Sequence, residues 1–205
     1  MPRLRKFRLF LQSIIRKPFT FHLIAVFSVS TLSLSFLEAN ENYKSGGKVR
    51  TVTLVEYFDF SCPLSAQSSK SLKSFKDKVG SRVSIVRKSL AFSEGGFSWI
   101  AGKYYHALLK QNRQLAEFFY RRVFEQTLNG ELNEPFLDNI IKELGVDLTK
   151  FKSVLKSPFL EKQLRQNEVL ANKSGIFVSP GYTLGGQVLL GKQEPADFGK
   201  FLSLR

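Results

Sequence analysis

Cysteine is almost absent. Cys62 is the only one in 205 residues, so the chain carries no disulfide of its own and is not a disulfide-stapled scaffold. Histidine is nearly as scarce: His22 belongs to an N-terminal segment, and His106 alone follows it. One Cys and one His give no metal-ligand spacing, and neither a metal nor another cofactor is expected. Runs of five or six basic residues are missing, as is any nucleic-acid-binding motif, although the net charge is +14. Six basic groups and one acid fall within residues 1–39, a net of +5, which leaves +9 for residues 40–205. Scattered along expected helices, those charges read as solvated surface, and nucleic acid is not an expected partner. Internal repeats are absent as well. Phenylalanine is abundant instead, with 20 residues, and a chain of this length buries a full core.

The first 39 residues have the layout of a secretory signal. Arg3, Arg5, Lys6, Arg8, Arg16 and Lys17 precede an apolar run from Phe19 to Phe36, followed by a more polar exit. Serine, threonine and His22 dilute the run, which makes it a weak permanent span. The segment is expected to be cleaved after Ser35 or Ala39, or else kept as an anchor through residues 19–36 with its basic side cytoplasmic. No second apolar span follows. The remainder is therefore expected to be soluble and extracytoplasmic, in the periplasm of the cell envelope. Residues 40–47, polar and ending in Gly46-Gly47, read as a linker, and residues 48–205 as one domain.

That domain is organised around Glu56-Tyr57-Phe58-Asp59-Phe60-Ser61-Cys62-Pro63-Leu64-Ser65. A strand expected over Lys48 to Phe60 enters it, with Leu54-Val55 lacking polar alternation, as in a strand covered on both faces. A helix leaves it, carrying Leu72, Phe75 and Val79 on one face and stopping at Gly80. Pro63 suits the first helical position, where its missing N–H has no partner to lose. A thiol at Cys62 then stands at the positive end of the helix dipole, which favours the nucleophilic thiolate. Ser65, one turn on, is placed to offer its hydroxyl to the same sulfur. Val83 to Val86 reads as a second strand, parallel to the first. Helical patterns then follow in series over about 97–172: Trp99 to Gln111, Leu115 to Leu128, Glu134 to Leu144, Leu148 to Leu155 and Pro158 to Lys173. The Phe-rich face of this block reads as core and His106 as structural. A hairpin around Gly185-Gly186 and a helix from Pro195 to Leu204 close the chain.

The order β-α-β, helical block, β-β-α is that of an α/β thioredoxin fold with a helical insertion. From about Val49 to Leu204 the chain resembles the DsbA-like branch of the thioredoxin superfamily. Three features carry the resemblance: Cys62-Pro63-x-x after a strand ending in aromatics, Glu56 six residues before the cysteine, and Gly175-Ile176-x-Val178-Ser179-Pro180 before the hairpin. It implies that Pro180 follows a cis peptide bond and lies against Cys62, and that Ser179 presents its backbone to an extended substrate. Pro63 and Leu64 would border the same site. It further implies that Glu56 is buried beneath the site and helps to move protons.

The departure is Ser65. Members of this family usually carry Cys-x-x-Cys, whereas this chain reads Cys62-Pro63-Leu64-Ser65. Disulfide exchange passes through a mixed disulfide that a second thiolate must attack, and a serine hydroxyl is too weakly acidic to do so at neutral pH. Dithiol oxidase chemistry is thereby excluded. Leu64 also brings no charge to a thiolate, unlike the histidine often found there in the family. Three functions fit. The first is a monothiol oxidoreductase at Cys62 acting as reductase, isomerase or thiol transferase. Its partners would be cysteine-containing envelope proteins or extended peptides, with an external thiol as reductant. The second is a redox-inactive chaperone or peptide-binding module. The third is a glutathione transferase similar to the kappa class, although the matching turn there starts with serine.

Overall fold

The structure, a computed structural model, describes residues Thr51 to Ser203. The expected targeting segment, its span at residues 19–36 and the linker at 40–47 lie outside the described residues. Among the described residues no helix is long and apolar enough to cross a membrane.

Strand β1 (Val52–Phe58) is the spine. Strand β2 (Val83–Ser89) pairs with it in parallel, Val52 opposite Val83 through Phe58 opposite Ser89. On its other side β3 (Gly181–Leu184) runs antiparallel, and β4 (Gln187–Leu190) continues the hairpin, giving the order β2-β1-β3-β4. The two-residue turn uses Gly185 and Gly186 at positive φ of 59° and 87°, which side chains rarely tolerate. Between β1 and β2 lies α1 (Pro63–Val79), stopped by Gly80 at φ 57°. Helices α2 (Phe97–Gln111), α3 (Arg113–Asn129), α4 (Glu134–Glu143), α5 (Leu148–Leu155) and α6 (Pro158–Lys173) form the insertion, and α7 (Pro195–Ser203) closes the domain. This is the thioredoxin fold with a helical insertion that the sequence order implied. Four of the five helix starts in the insertion are capped by a side chain. Asn112, Asn133, Asp147 and Ser157 accept first-turn N–H bonds of α3, α4, α5 and α6, each worth about 1 kcal/mol.

One boundary differs usefully. Strand β2 was expected to end at Val86 but runs to Ser89. Arg87-Lys88-Ser89 has no strand-like composition, and the extension is held by pairing with Glu56-Tyr57-Phe58 across the sheet. Long-range pairing overrides local preference there.

The core has two main parts. Leu54, Leu72, Phe75, Val83, Ile85, Tyr182 and Phe198 pack α1 and α7 onto the sheet. Phe58 and Phe60 carry β1 into the insertion, where Phe58 meets Tyr105, Tyr120 and Phe124 edge-on at 5.1–5.8 Å. Such contacts add roughly 0.5–1.5 kcal/mol per pair beyond area burial. The cysteine turn thus rests on a rigid aromatic floor.

His106 is a buried structural group. The amide nitrogen of Asn167 donates to its Nε2 at 3.2 Å, with Ser89 Oγ 3.1 Å from the same atom. Burial, then the charge of Lys88, lowers its pKa to about 4. The unfolded chain therefore binds the extra proton more readily between pH 6.5 and 4. Stability is full above the unfolded value and is lost as pH falls through the folded one, by about 3 kcal/mol in all. Urea unfolding across this range should show that slope in the wild type and a flatter one in His106→Gln. Equal slopes would refute the assignment.

Candidate functional site

Cys62 is the residue capping α1, at φ −88° and ψ 114°, and Pro63 follows as the first helical residue. Its backbone N–H donates to Asp59 O at 3.1 Å, closing a turn at the end of β1, and its carbonyl accepts Ala66 N–H. The side chain is half-buried, flanked by exposed Pro63 and Leu64. Its thiol donates to the Ser179 carbonyl at 3.3 Å, across 117 residues of chain. The Ser179–Pro180 peptide bond is cis, and Pro180 is buried. Cys62, Ser179 and Pro180 therefore meet where the end of β1 lies beside the start of β3, the two central strands of the sheet.

Ser65 is fully buried and turns elsewhere than expected. Its hydroxyl bonds Ser179 Oγ at 2.7 Å and receives Asp59 N–H at 3.4 Å, rather than reaching the sulfur. The helix geometry explains this: with Cys62 aimed at the Ser179 carbonyl, the hydroxyl one turn later meets the Ser179 side chain. Ser65 thus ties the first turn of α1 to the segment before β3.

Glu56 is fully buried on β1. Its Oε2 accepts Arg87 Nε at 2.8 Å and its Oε1 accepts the Tyr120 hydroxyl at 2.8 Å. Arg87 also pairs with Glu117, and its guanidinium lies 4.2 Å from the centre of the Tyr120 ring. Burial pushes the Glu56 carboxyl up, while Arg87 and Tyr120 pull it back. Arg87 is held protonated by the surrounding Tyr120, Glu56 and Glu117 against its own burial. Both oxygens of Glu56 are engaged away from Cys62. Tyr182 lies opposite Glu56 in the antiparallel register, its hydroxyl donates to Ser68 Oγ at 2.8 Å, and burial above all keeps its phenol neutral.

Several neighbours escaped the sequence reading. Arg87 sits opposite Glu56 in the parallel register, and an acid within the apolar β1, paired with a neighbouring strand that carries a base, was the available signal. Asp59 lies between fully buried Phe58 and Phe60, and is itself buried with Ser98 and Ser61 around it. An acid flanked by core phenylalanines was the clue there. The basic residues that raised the charge question partly guard the sheet edge. Lys76 and Arg113 donate to the outward carbonyls of Val83 and Ile85 beside a cavity of about 400 Å³, which blunts strand addition. Cys62, Ser65 and Ser179 do not border that cavity. Among the described residues no His, Cys, Asp and Glu cluster fits a metal ion.

Comparison with known proteins follows the same architecture. A family profile described as Thioredoxin matches residues 42–203. No curated protein matches the chain. Among solved structures it is similar to a thioredoxin-like oxidoreductase from Silicibacter pomeroyi DSS-3, at 22% identity and a TM-score of 0.67, covering 76% of this chain and 86% of that one. It is similar to a periplasmic thioredoxin-like protein from Salmonella enterica serovar Typhimurium, at 18% identity and 0.64, covering 78% and 87%. The thiol-disulfide exchange protein alpha-DsbA2 from Wolbachia pipientis matches at 18% identity and 0.67, covering 78% and 84%. At these identities the likeness bears on the fold.

Proposed function

Because the chain belongs to the thioredoxin family, we propose that it is a thiol-disulfide oxidoreductase of the cell envelope restricted to monothiol chemistry at Cys62. The observation that carries this reading is the half-exposed sulfur lying 3.3 Å from the Ser179 carbonyl beside a cis proline. A substrate strand that pairs with Ser179 would bring its own sulfur to Cys62. Attack by the Cys62 thiolate on a substrate disulfide forms one S–S bond and breaks another, and the released thiolate takes up a proton. The mixed disulfide is then opened by an external thiol, or by a second thiol of the substrate, which restores Cys62. Ser65 has no part in that release. Exposed Leu64, Phe177 and Val178 give the site an apolar rim, suited to extended segments with apolar residues beside the cysteine. Glu56, fully buried on β1 behind the site, is the acid that the family resemblance assigns to proton exchange as the sulfur changes state. The basic leader at residues 1–39 and the periplasmic relative from Salmonella support the envelope location.

Trapping tests this. With no internal thiol to resolve them, substrates should accumulate on Cys62 in the native envelope as adducts on a non-reducing gel. These should vanish on reduction and be absent from Cys62→Ala. A gel without adducts, together with a Cys62→Ser strain of normal phenotype, would instead favour the peptide-binding module.

A further inference from the structure

The polypeptide between β1 and α1 is held from α3 by Thr127, whose hydroxyl donates to Phe60 O at 2.8 Å, and from within by Asp59, a side chain that the reaction does not use. Asp59 bonds to Ser61, Cys62 and Ser65 of the reactive turn. Its backbone N–H donates to Ser65 Oγ, and its carbonyl accepts Cys62 N–H. Its carboxylate accepts Ser61 N–H at 2.6 Å and the hydroxyl of Ser98, the second residue of α2. Ser98 Oγ in turn lies 3.1 Å from Ser61 N and 2.7 Å from Ser61 Oγ. The cluster closes on itself, joining the insertion to the residue just before the thiol.

We infer that Asp59 is the positioning residue of the reactive turn, its Oδ1 locking Ser61 and hence Cys62 to the start of α2 through Ser98. Both donors converge on Oδ1, and Oδ2 has no hydrogen-bond partner among the described residues. The site therefore needs one well-placed acceptor oxygen, which an amide supplies as well as a carboxylate. Burial pushes the Asp59 carboxyl up, with Ser98 and Ser61 pulling it back, which agrees with a geometric rather than a charge-based role. Without the acceptor, Ser61 N–H keeps only the more distant Ser98 oxygen, and the turn carrying the sulfur loosens.

The inference rests on the monothiol reading of Cys62, and two readouts separate the two ideas. The first is hydrogen exchange of the Ser61 and Cys62 amides in the full chain. The second is the rate at which Cys62 forms a mixed disulfide with oxidised glutathione, releasing one glutathione thiol per adduct. Asp59→Ala should speed exchange at both amides and slow adduct formation, each by about 10-fold or more, as expected when a buried donor loses its acceptor. Asp59→Asn should stay within about threefold of the wild type in both, because its Oδ1 accepts the same two donors. Ser98→Ala, which removes one donor and keeps the other, should fall between and guards against an Asp59→Ala that does not fold. If Asp59→Asn behaves like Asp59→Ala, or neither differs from the wild type, the positioning role is wrong. If wild-type Cys62 forms no adduct, the oxidoreductase reading fails while the exchange data still decide the role of Asp59.

Discussion

Ser65→Cys should turn this chain into a dithiol oxidant. Two residues, Pro63 and Leu64, separate the cap of α1 from Ser65 in its first turn, which places the two Cα atoms roughly 5–6 Å apart, inside the range a disulfide spans. With oxidised glutathione, Cys62 first forms a mixed disulfide and the introduced thiol then attacks it, so that two glutathione thiols leave and one internal disulfide remains. Oxidation of a two-cysteine peptide by this form should exceed the wild-type rate by about 100-fold or more, since an internal resolving thiolate replaces a bimolecular release step. The variant also loses the 2.7 Å hydroxyl bond to Ser179, so the segment before β3 should loosen by an amount worth about 1 kcal/mol. A loss of two hydrogen masses on oxidation, together with the peptide assay, reads the result. A variant that stays a free dithiol in oxidised glutathione would show that the two positions do not face each other, and the monothiol argument would lose its footing.

The second large effect is on stability. Arg87→Met leaves the fully buried Glu56 with only the Tyr120 hydroxyl. Removing one partner of a buried pair costs about 3–5 kcal/mol because the remaining charge is uncompensated. For a domain of this size that corresponds to roughly 6–20 °C in Tm. The pH dependence has a definite sign. The Glu56 carboxyl is already raised by burial against the pull of Arg87, and loss of Arg87 raises it further. A raised acid holds its proton more tightly when folded, so its contribution is full below the unfolded value and is lost as pH rises through the folded one. The deficit of Arg87→Met should therefore be largest at neutral pH and shrink on acidification. Adding Glu56→Leu should recover much of the loss, since an apolar pair replaces buried ions nearly neutrally. A deficit independent of pH, with no recovery in the double variant, would mean that Arg87 matters only through its packing on Tyr120.

The elements were legible because each carries a local signal. Pro63 and Gly80 bracket α1, Gly185-Gly186 bends the hairpin, and apolar spacing along the insertion marks its helices. Strand β2 was half legible, since Val83 to Val86 is apolar but Arg87 to Ser89 is held by its neighbour across the sheet. The position of Cys62 at the strand-to-helix junction was legible for the same local reasons. The direction of the Ser65 hydroxyl was not: what it meets is Ser179, brought from 114 residues away.

The order of elements, the lone thiol and the loss of a resolving partner for it are written along the chain, because backbone preference, apolar periodicity and the chemistry of one side chain are local properties. Tertiary structure alone decided which groups surround that sulfur. Arg87 was matched to Glu56 by strand register, Ser98 to Asp59 by the seating of α2, and Ser179 to both Cys62 and Ser65 by the approach of the segment before β3. Those pairings depend on how distant segments close over a common core, a cooperative outcome that spacing along the chain does not encode.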